Sequence, residues 1–388
     1  MWTKPWKYAE GFVIGAGIVT IGGVLQLIFG QIDWNAFAWP VNAIVLVLYL
    51  TALIGLYIFR KDFYPAEWMM HFKAALPAIA WCIALTLVIG LTTWNLLGFW
   101  PFVLVYFWMT SIIGLACIGR IARFRIKDIP FLLNHLGLFL ALVAGTLGNA
   151  DIRKHDVTLV EGSEPIMQGS MGEPLPVALQ LHSFTLEQYP PKLMLTEGEG
   201  ISKDADAFLS VENGTLEGTL GGWDIRILQN IPCASKDSLS DGYKAWIHEG
   251  GCCAVEVEAQ KDGTILTGWV SGGSIMFPSG KIDLPDGRSI AMAVREPKRY
   301  ASEISAFRAD GSRIDGTVEV NKPVKVNGWK IYQVDYDHAL GQWSNISILQ
   351  LVKDPWLPFV YSGIFMLLAG AVCNFWTAAR KKDEEEDA

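Results

Sequence analysis

Six stretches of this chain, Gly11–Phe29, Pro40–Phe59, Leu76–Thr93, Pro101–Ile118, Ile129–Asn149 and Trp356–Thr377, contain no Lys, Arg, Asp or Glu. Each is close to the ~20 apolar residues that a helix needs to cross a bilayer. Hydrocarbon offers no water to an unpaired backbone amide or carbonyl, so such runs must cross as helices. The predicted fold is therefore an integral membrane α-helical bundle of six spans, with whatever lies between the fifth and sixth standing outside the lipid. Composition agrees: 51% of the residues are hydrophobic and only 18% charged, against about a quarter charged in soluble domains. A simple soluble enzyme is disfavoured, and the uncharged spans argue against an ion path.

The charge is unevenly placed. Residues 1–150 hold 9 Lys and Arg against 5 Asp and Glu, whereas residues 151–354 hold 19 against 29. The domains expected are an N-terminal membrane domain of five spans (1–149), an extracytoplasmic β-rich domain (150–355), a C-terminal span (356–377) and an acidic cytoplasmic tail (378–388). Lys4, Lys7, Arg60, Lys61, Lys73, Arg120, Arg123, Arg125, Lys127, Arg380, Lys381 and Lys382 all fall in segments that alternate topology assigns to one side. The loops around Asp33 and between Trp94 and Trp100 carry no Lys or Arg. The positive-inside rule then puts both termini in the cytoplasm. Trp2, Trp6, Trp34, Trp39, Trp68, Trp94, Trp100, Trp356 and Trp376 flank the spans, as interfacial aromatics do. The first span lacks a small-residue cleavage site at its end and reads as a retained anchor.

Residues 150–355 read as strands. Asn327-Gly328, Asp262-Gly263, Asn213-Gly214, Asp310-Gly311 and Pro285-Asp286-Gly287 sit between alternating apolar residues, the strongest local hairpin signal. A large all-β domain, an antiparallel sandwich or curved sheet, is inserted before the last span. Trp329, Ile331 and Gln333 share one strand face and Lys330, Tyr332 and Val334 the other, so that strand is expected to be covered at least in part on both sides. Cys233, Cys252 and Cys253 lie in this domain, either with one disulfide from Cys233 to one of the other two or as three free thiols. No C-x-x-C is present.

Of six histidines, at 71, 135, 155, 182, 248 and 338, only His135 lies inside a span. An ionisable group in hydrocarbon is costly and faces a bundle interior, a cavity or a ligand. Gly137, Ala141, Ala144, Gly145 and Gly148 form a small-residue stripe on the same helix, suited to close helix contact. His135 is about 200° around the helix from Gly137, so its imidazole should point into a different groove. It can tie helices together by hydrogen bonding or serve as an axial ligand to haem iron. His71 beside Trp68 and Phe72 reads as an interface residue, and the four histidines of the β domain as solvated or internally satisfied. The acidic end, Asp383 to Asp387, reads as solvated, and Asn213-Gly-Thr and Asn345-Ile-Ser match the glycosylation pattern at chance level. No H-E-x-x-H, P-loop, G-x-S-x-G or dinucleotide fingerprint occurs, which leaves hydrolase, kinase and NAD readings without a foothold.

The order of motifs in the second half is more specific than any one of them. Glu296-Pro297-Lys298-Arg299-Tyr300-Ala301-Ser302-Glu303-Ile304, Asp310-Gly311, Val318-Glu319-Val320-Asn321-Lys322-Pro323, Gly328-Trp329-Lys330-Ile331-Tyr332-Gln333 and Asp354-Pro355-Trp356 follow one another into the last span. Together with Asn134-His135-Leu136-Gly137-Leu138, this series resembles the ResB (CcsB) family of cytochrome c biogenesis proteins. The family commonly has three spans before its outer domain, and this chain has five.

The resemblance implies half of a System II cytochrome c synthase in a bacterial inner membrane. Such a complex moves haem across the membrane and supports its thioether attachment to apocytochrome c. The CcsA (ResC) type membrane protein, the other half, carries a tryptophan-rich haem motif that this chain lacks. His135 would then bind haem b in transit as an axial ligand to its iron, no residue here would be catalytic alone, and the partners would be the CcsA type protein, apocytochrome c, haem and the bilayer, with no nucleic acid. The alternative is a membrane-anchored β domain that recruits apocytochrome or another secreted partner without binding haem, leaving His135 structural.

Overall fold

The computed structural model describes residues 2–92, 96–198, 200–204, 206–212, 217–238, 241–246 and 248–386, and side chains beyond Trp376 lie outside that description. Trp94, Asn213-Gly214 and the side chains of Arg380 to Lys382 and of the acidic tail, all invoked above, fall outside it. The chain divides into two compact units, residues 1–153 with 354–388, and residues 154–353.

The first unit is helical: α1 (Tyr8–Phe29), α2 (Val41–Ile58), a short α3 (Tyr64–Met69), α4 (Phe72–Gly90), α5 (Trp100–Ile121), α6 (Ile129–Leu147) and α7 (Leu357–Glu386). Six of these are long and apolar enough to cross a membrane. Their outward faces are apolar too, with Leu27, Ile54, Leu87 and Phe365 half or more exposed, which hydrocarbon tolerates and water does not. The helix α3 and the continuation of α7 through Glu386 are additions to the sequence reading.

Small residues set the packing. On α1, a Cβ at Gly11 would sit 2.6 Å from the Pro77 ring of α4, and one at Gly22 2.5 Å from the Pro101 backbone of α5. The α6–α7 contact is closer and reciprocal. A Cβ on Gly137 would fall 2.6 Å from the Gly363 carbonyl oxygen, and one on Gly363 2.6 Å from the Gly137 carbonyl oxygen. Without a hydrophobic driving force in lipid, such backbone approach is a main source of helix association. Asn134 adds a hydrogen bond to the Leu367 carbonyl of α7 at 3.5 Å.

One tryptophan leaves the expected belt. Trp68 is 2% exposed and packs with Ala74, Ala78, Trp108 and Ile112. Its ring meets Trp6 edge-on at 5.5 Å and stacks on Trp108 at 6.5 Å, so it is a core residue and not an interfacial one. Trp356 also has a more specific task, since its Nε1–H donates to Asp151 Oδ2 at 2.6 Å. The same carboxylate accepts from the Asn42 amide at 2.7 Å and the Trp39 backbone amide at 2.7 Å. Burial raises the Asp151 pKa, but these three donors outweigh it and hold the carboxyl below its usual range. Asp151 thereby joins the start of α2, the end of α6 and the start of α7. Its replacement by Ala is expected to leave three donors unmatched and lower the thermal midpoint in detergent, by roughly 1–3 kcal/mol of stability. An unchanged midpoint would show the network to be dispensable.

The second unit is all β, with every recorded strand pair antiparallel, and it is two sandwiches instead of one. The first joins the sheet Arg153–Val160, Ile346–Lys353, Trp329–Tyr336, Val324–Val326 to the sheet Arg313–Glu319, Pro297–Phe307, Pro174–Gln188, Ile166–Gln168. Its core holds Val157, Leu159, Leu179, Ile304, Ile331 and Leu351. The second is built wholly from residues between Gln188 and Pro297. One sheet runs Thr264–Ser271, Cys252–Lys261, Trp223–Lys236, Glu217–Leu220, and the other Ile282–Asp283, Arg288–Met292, Lys192–Glu197, Gly200–Ile201. Its separate core holds Leu195, Trp223, Ile225, Val255, Val257 and Ile290. Gln188 pairs with Pro297, so the chain enters and leaves this inserted sandwich at adjacent points.

The turn signals describe the hairpins well. Asn327 and Gly328 have φ of 50° and 77°, and Asp262 and Gly263 have 48° and 79°, the left-handed pair a type I′ turn requires. In the strand Trp329–Tyr336, Trp329, Ile331 and Gln333 are buried, Lys330 and Tyr332 are half-buried, and Val334 is exposed. Cover on the second face is thus only partial. Gln333 meets Ser302 and Ser347 in a buried hydrogen-bonded trio at 2.6 and 3.1 Å.

In the inserted sandwich, Arg288 donates to Asp286 at 2.6 Å and to the Gly221 carbonyl at 3.0 Å, while Trp223 Nε1 donates to Asp286 at 3.2 Å. The Arg288 hydrogen bond holds the Asp286 carboxyl far below the usual carboxylate range. A depressed folded-state pKa stabilises above the unfolded value, near 4, and the stabilisation is lost as pH falls through the folded value. Asp286→Asn is therefore expected to lower the neutral-pH unfolding midpoint by on the order of 1 kcal/mol, with the gap to the parent protein closing in acid. Tryptophan fluorescence melts across pH test this, and a gap that widens in acid overturns it.

Candidate functional site

His135 lies in the first two turns of α6, a helix that Pro130 opens at a position where a missing N–H costs nothing. Its Nδ1 is 3.0 Å from the carbonyl oxygen of Phe131, one turn back on the same helix. A carbonyl only accepts, so Nδ1 carries a proton, and in the neutral ring the lone pair is on Nε2. Among the described residues Nε2 makes no hydrogen bond. The bond to Phe131 is internal to α6, so it does not tie helices together, and Asn134 makes the link to α7 instead.

The ring is held on its face as well. Phe131 and His135 stack with centroids 3.9 Å apart and 16° between planes. The Arg120 guanidinium lies 4.8 Å over Phe131 and pairs with Asp128, which is 2% exposed. Asp128 also accepts from the Arg125 backbone amide at 3.2 Å. A chain of contacts thus runs from a buried carboxylate through arginine and phenylalanine to the imidazole. This is the kind of outer support that orients a histidine for ligation.

The imidazole borders a half-open cavity of about 900 Å³ lined by residues of α2, α3, α4, α5 and α6 and their connections, within the ~300–1,000 Å³ common for ligand sites. The reciprocal Gly137–Gly363 contact with α7 lies on another side of α6, so the separate groove expected for His135 exists. One part of the wall is apolar, with Ile79, Ile112, Ile113, Leu138 and Leu142. Another part is ionic, with Arg60, Arg120, Arg123 and Arg125 against Glu67 and Asp128. The site thus places this imidazole between an apolar wall and an arginine-rich one.

His71 lines the same cavity. It precedes α4 as its N-terminal flanking residue and is exposed, so the residue read as interfacial also stands at the rim of this site. No periodic pattern marks it, because the feature that brings it to His135 is the short α3 that folds the loop back. The arginines were legible only as orientation signals.

The β-domain histidines are internally engaged: His155 with Glu173 at 3.4 Å, His182 with Ser305 at 2.5 Å, His338 with Asp335 at 2.7 Å, and His248 edge-on to Trp246 at 5.2 Å. Cys233, Cys252 and Cys253 are free thiols. Burial pushes the Cys253 thiol up to about 11, away from the low pKa of a reactive cysteine.

No curated protein matches this chain. The match to a known family lies in the β domain and includes the hairpins of Asp262-Gly263, Asp310-Gly311 and Asn327-Gly328. Residues 246–345 match the ResB-like family, so the chain is similar to that family across that segment.

Proposed function

We propose that this protein is a cytochrome c biogenesis subunit that holds haem b in transit at His135, alongside a CcsA (ResC) type membrane protein that supplies the opposite axial ligand. The ResB-like match supports the biogenesis setting. The observation that carries the haem assignment is the imidazole itself. Its Nδ1 is engaged by the Phe131 carbonyl at 3.0 Å, which leaves Nε2 as the nitrogen available to a ligand.

Haem is cargo here, and the iron it brings accepts the Nε2 lone pair. The chain contributes an imidazole engaged at Nδ1, an apolar wall and a cationic rim. By the positive-inside rule that rim faces the cytoplasm, the side from which haem would load. The β domain would face outward, where apocytochrome c receives haem with the synthase partner, and this chain alone would carry no catalytic residue for thioether formation.

Co-expression with a CcsA type partner followed by purification tests the reading. The complex is expected to show the absorption spectrum of bis-ligated haem, and removal of the β domain is expected to leave the His135-dependent band in place. A complex that binds apocytochrome yet never carries haem would overturn this reading in favour of a recruiting β domain. His71, exposed at the rim, leaves ligation to the partner. His71→Ala is expected to preserve the spectrum, and a lost band would assign the second ligand to this chain.

A further inference from the structure

The ionic part of the cavity has a charge imbalance that ligation by His135 does not use. Four arginines, Arg60, Arg120, Arg123 and Arg125, meet two carboxylates, Glu67 and Asp128. Asp128 takes both Arg120 and, at 3.7 Å, Arg125. Arg60 lies over Tyr57 at 3.9 Å from the ring centroid and donates to its carbonyl, with no carboxylate partner among the described residues. Arg123 makes no ion pair among the described residues. The mouth therefore has two more cations than anions, beside an apolar wall.

We infer that Arg60 and Arg123 form a clamp for the two carboxylates of a tetrapyrrole whose metal sits at His135. This rests on the haem reading above and adds an orientation to it: acidic edge at the arginine rim, apolar edge toward Leu138 and Leu142. Guanidinium groups suit the task because they stay charged and bind carboxylates with paired donors. Arg60 is already held by its Tyr57 contacts, so little conformational freedom remains to be lost on binding. The shared chemistry, an oxyanion on arginine, also fits a phospholipid phosphate, and the test separates the two.

The complex with its CcsA type partner, purified in neutral detergent, is titrated with iron(III) protoporphyrin IX and with its dimethyl ester, and the His135-dependent part of the Soret band is followed. The parent protein is expected to bind the diacid at least about tenfold more tightly than the diester, the scale of charge-assisted hydrogen bonds. In the double variant Arg60→Gln with Arg123→Gln, the preference is expected to fall to about threefold or less, with diester binding unchanged. The Arg60→Lys with Arg123→Lys variant retains the charge and is expected to keep part of the preference, which guards against a folding artefact. An undiminished preference in the Gln variant, or no preference in the parent protein, overturns the clamp. Arginine-dependent binding of phosphatidylglycerol nanodiscs without a diacid preference assigns the cations to lipid and also overturns it. If neither porphyrin gives a band that His135→Ala removes, the haem reading itself fails and the clamp falls with it.

Discussion

Replacing His135 by Gly is expected to strip haem from the purified complex. On the proposed reading the iron would lose its ligand on this subunit, and loss of mere outer support for a ligating histidine already costs about 10–100-fold in affinity. The removed side chain leaves a space beneath Phe131, whose ring stacks on it at 3.9 Å. Added imidazole is therefore expected to restore the ligated spectrum without restoring the covalent link. Phe131→Leu keeps the ligand and its backbone carbonyl partner but removes the stack, and is expected to weaken haem retention far less. Haem content and spectrum that survive His135→Gly unchanged would sink the ligand role.

Gly363→Leu carries the second large effect, on assembly of the membrane unit. A Cβ at Gly363 would fall 2.6 Å from both the Gly137 carbonyl oxygen and the Ala141 backbone nitrogen. These are backbone atoms, which cannot rotate aside, so α6 and α7 must separate. The cost is expected at or above the ~1–3 kcal/mol of ordinary overpacking. Gly145→Leu is the control, because nothing lies within 4 Å of its notional Cβ, and Leu is favoured over Gly within a helix by up to ~1 kcal/mol. The first variant should melt earlier in detergent and the second no earlier than the parent protein. Equal melting of the two would mean that the close helix approach contributes no stability.

The six spans were readable because their chemistry is local: twenty uncharged residues need no partner to declare themselves. The hairpins at Asn327-Gly328 and Asp262-Gly263 were equally local, since positive φ at two successive positions narrows the residue choice. His135 stood out because an imidazole in hydrocarbon requires a reason. What could not be read was whatever depends on which elements meet. Trp68 looks interfacial beside His71, but the turn through α3 drives it into the contact with Trp6 and Trp108. The same turn carries His71 to the cavity of His135. The β region read as one domain because alternation reports a buried face without saying which core it enters. Leu195 and Leu179 have the same pattern signature yet lie in separate cores.

The adjacency of Gln188 and Pro297 has a consequence for the history and mechanics of the β region. Two residues paired across a sheet could be joined by a two-residue turn, so the inserted sandwich is topologically a hairpin loop that has grown a core of its own. Backbone hydrogen bonding runs directly from Tyr189 to Glu296 at this neck, at 3.0 Å. Away from the neck Trp343 Nε1 donates to the Gly251 carbonyl at 3.1 Å, but the two cores are separate, so the inserted sandwich is expected to melt while its host stays folded. Excising residues 189–296 is expected to remove one cooperative transition from a calorimetric melt and leave the other.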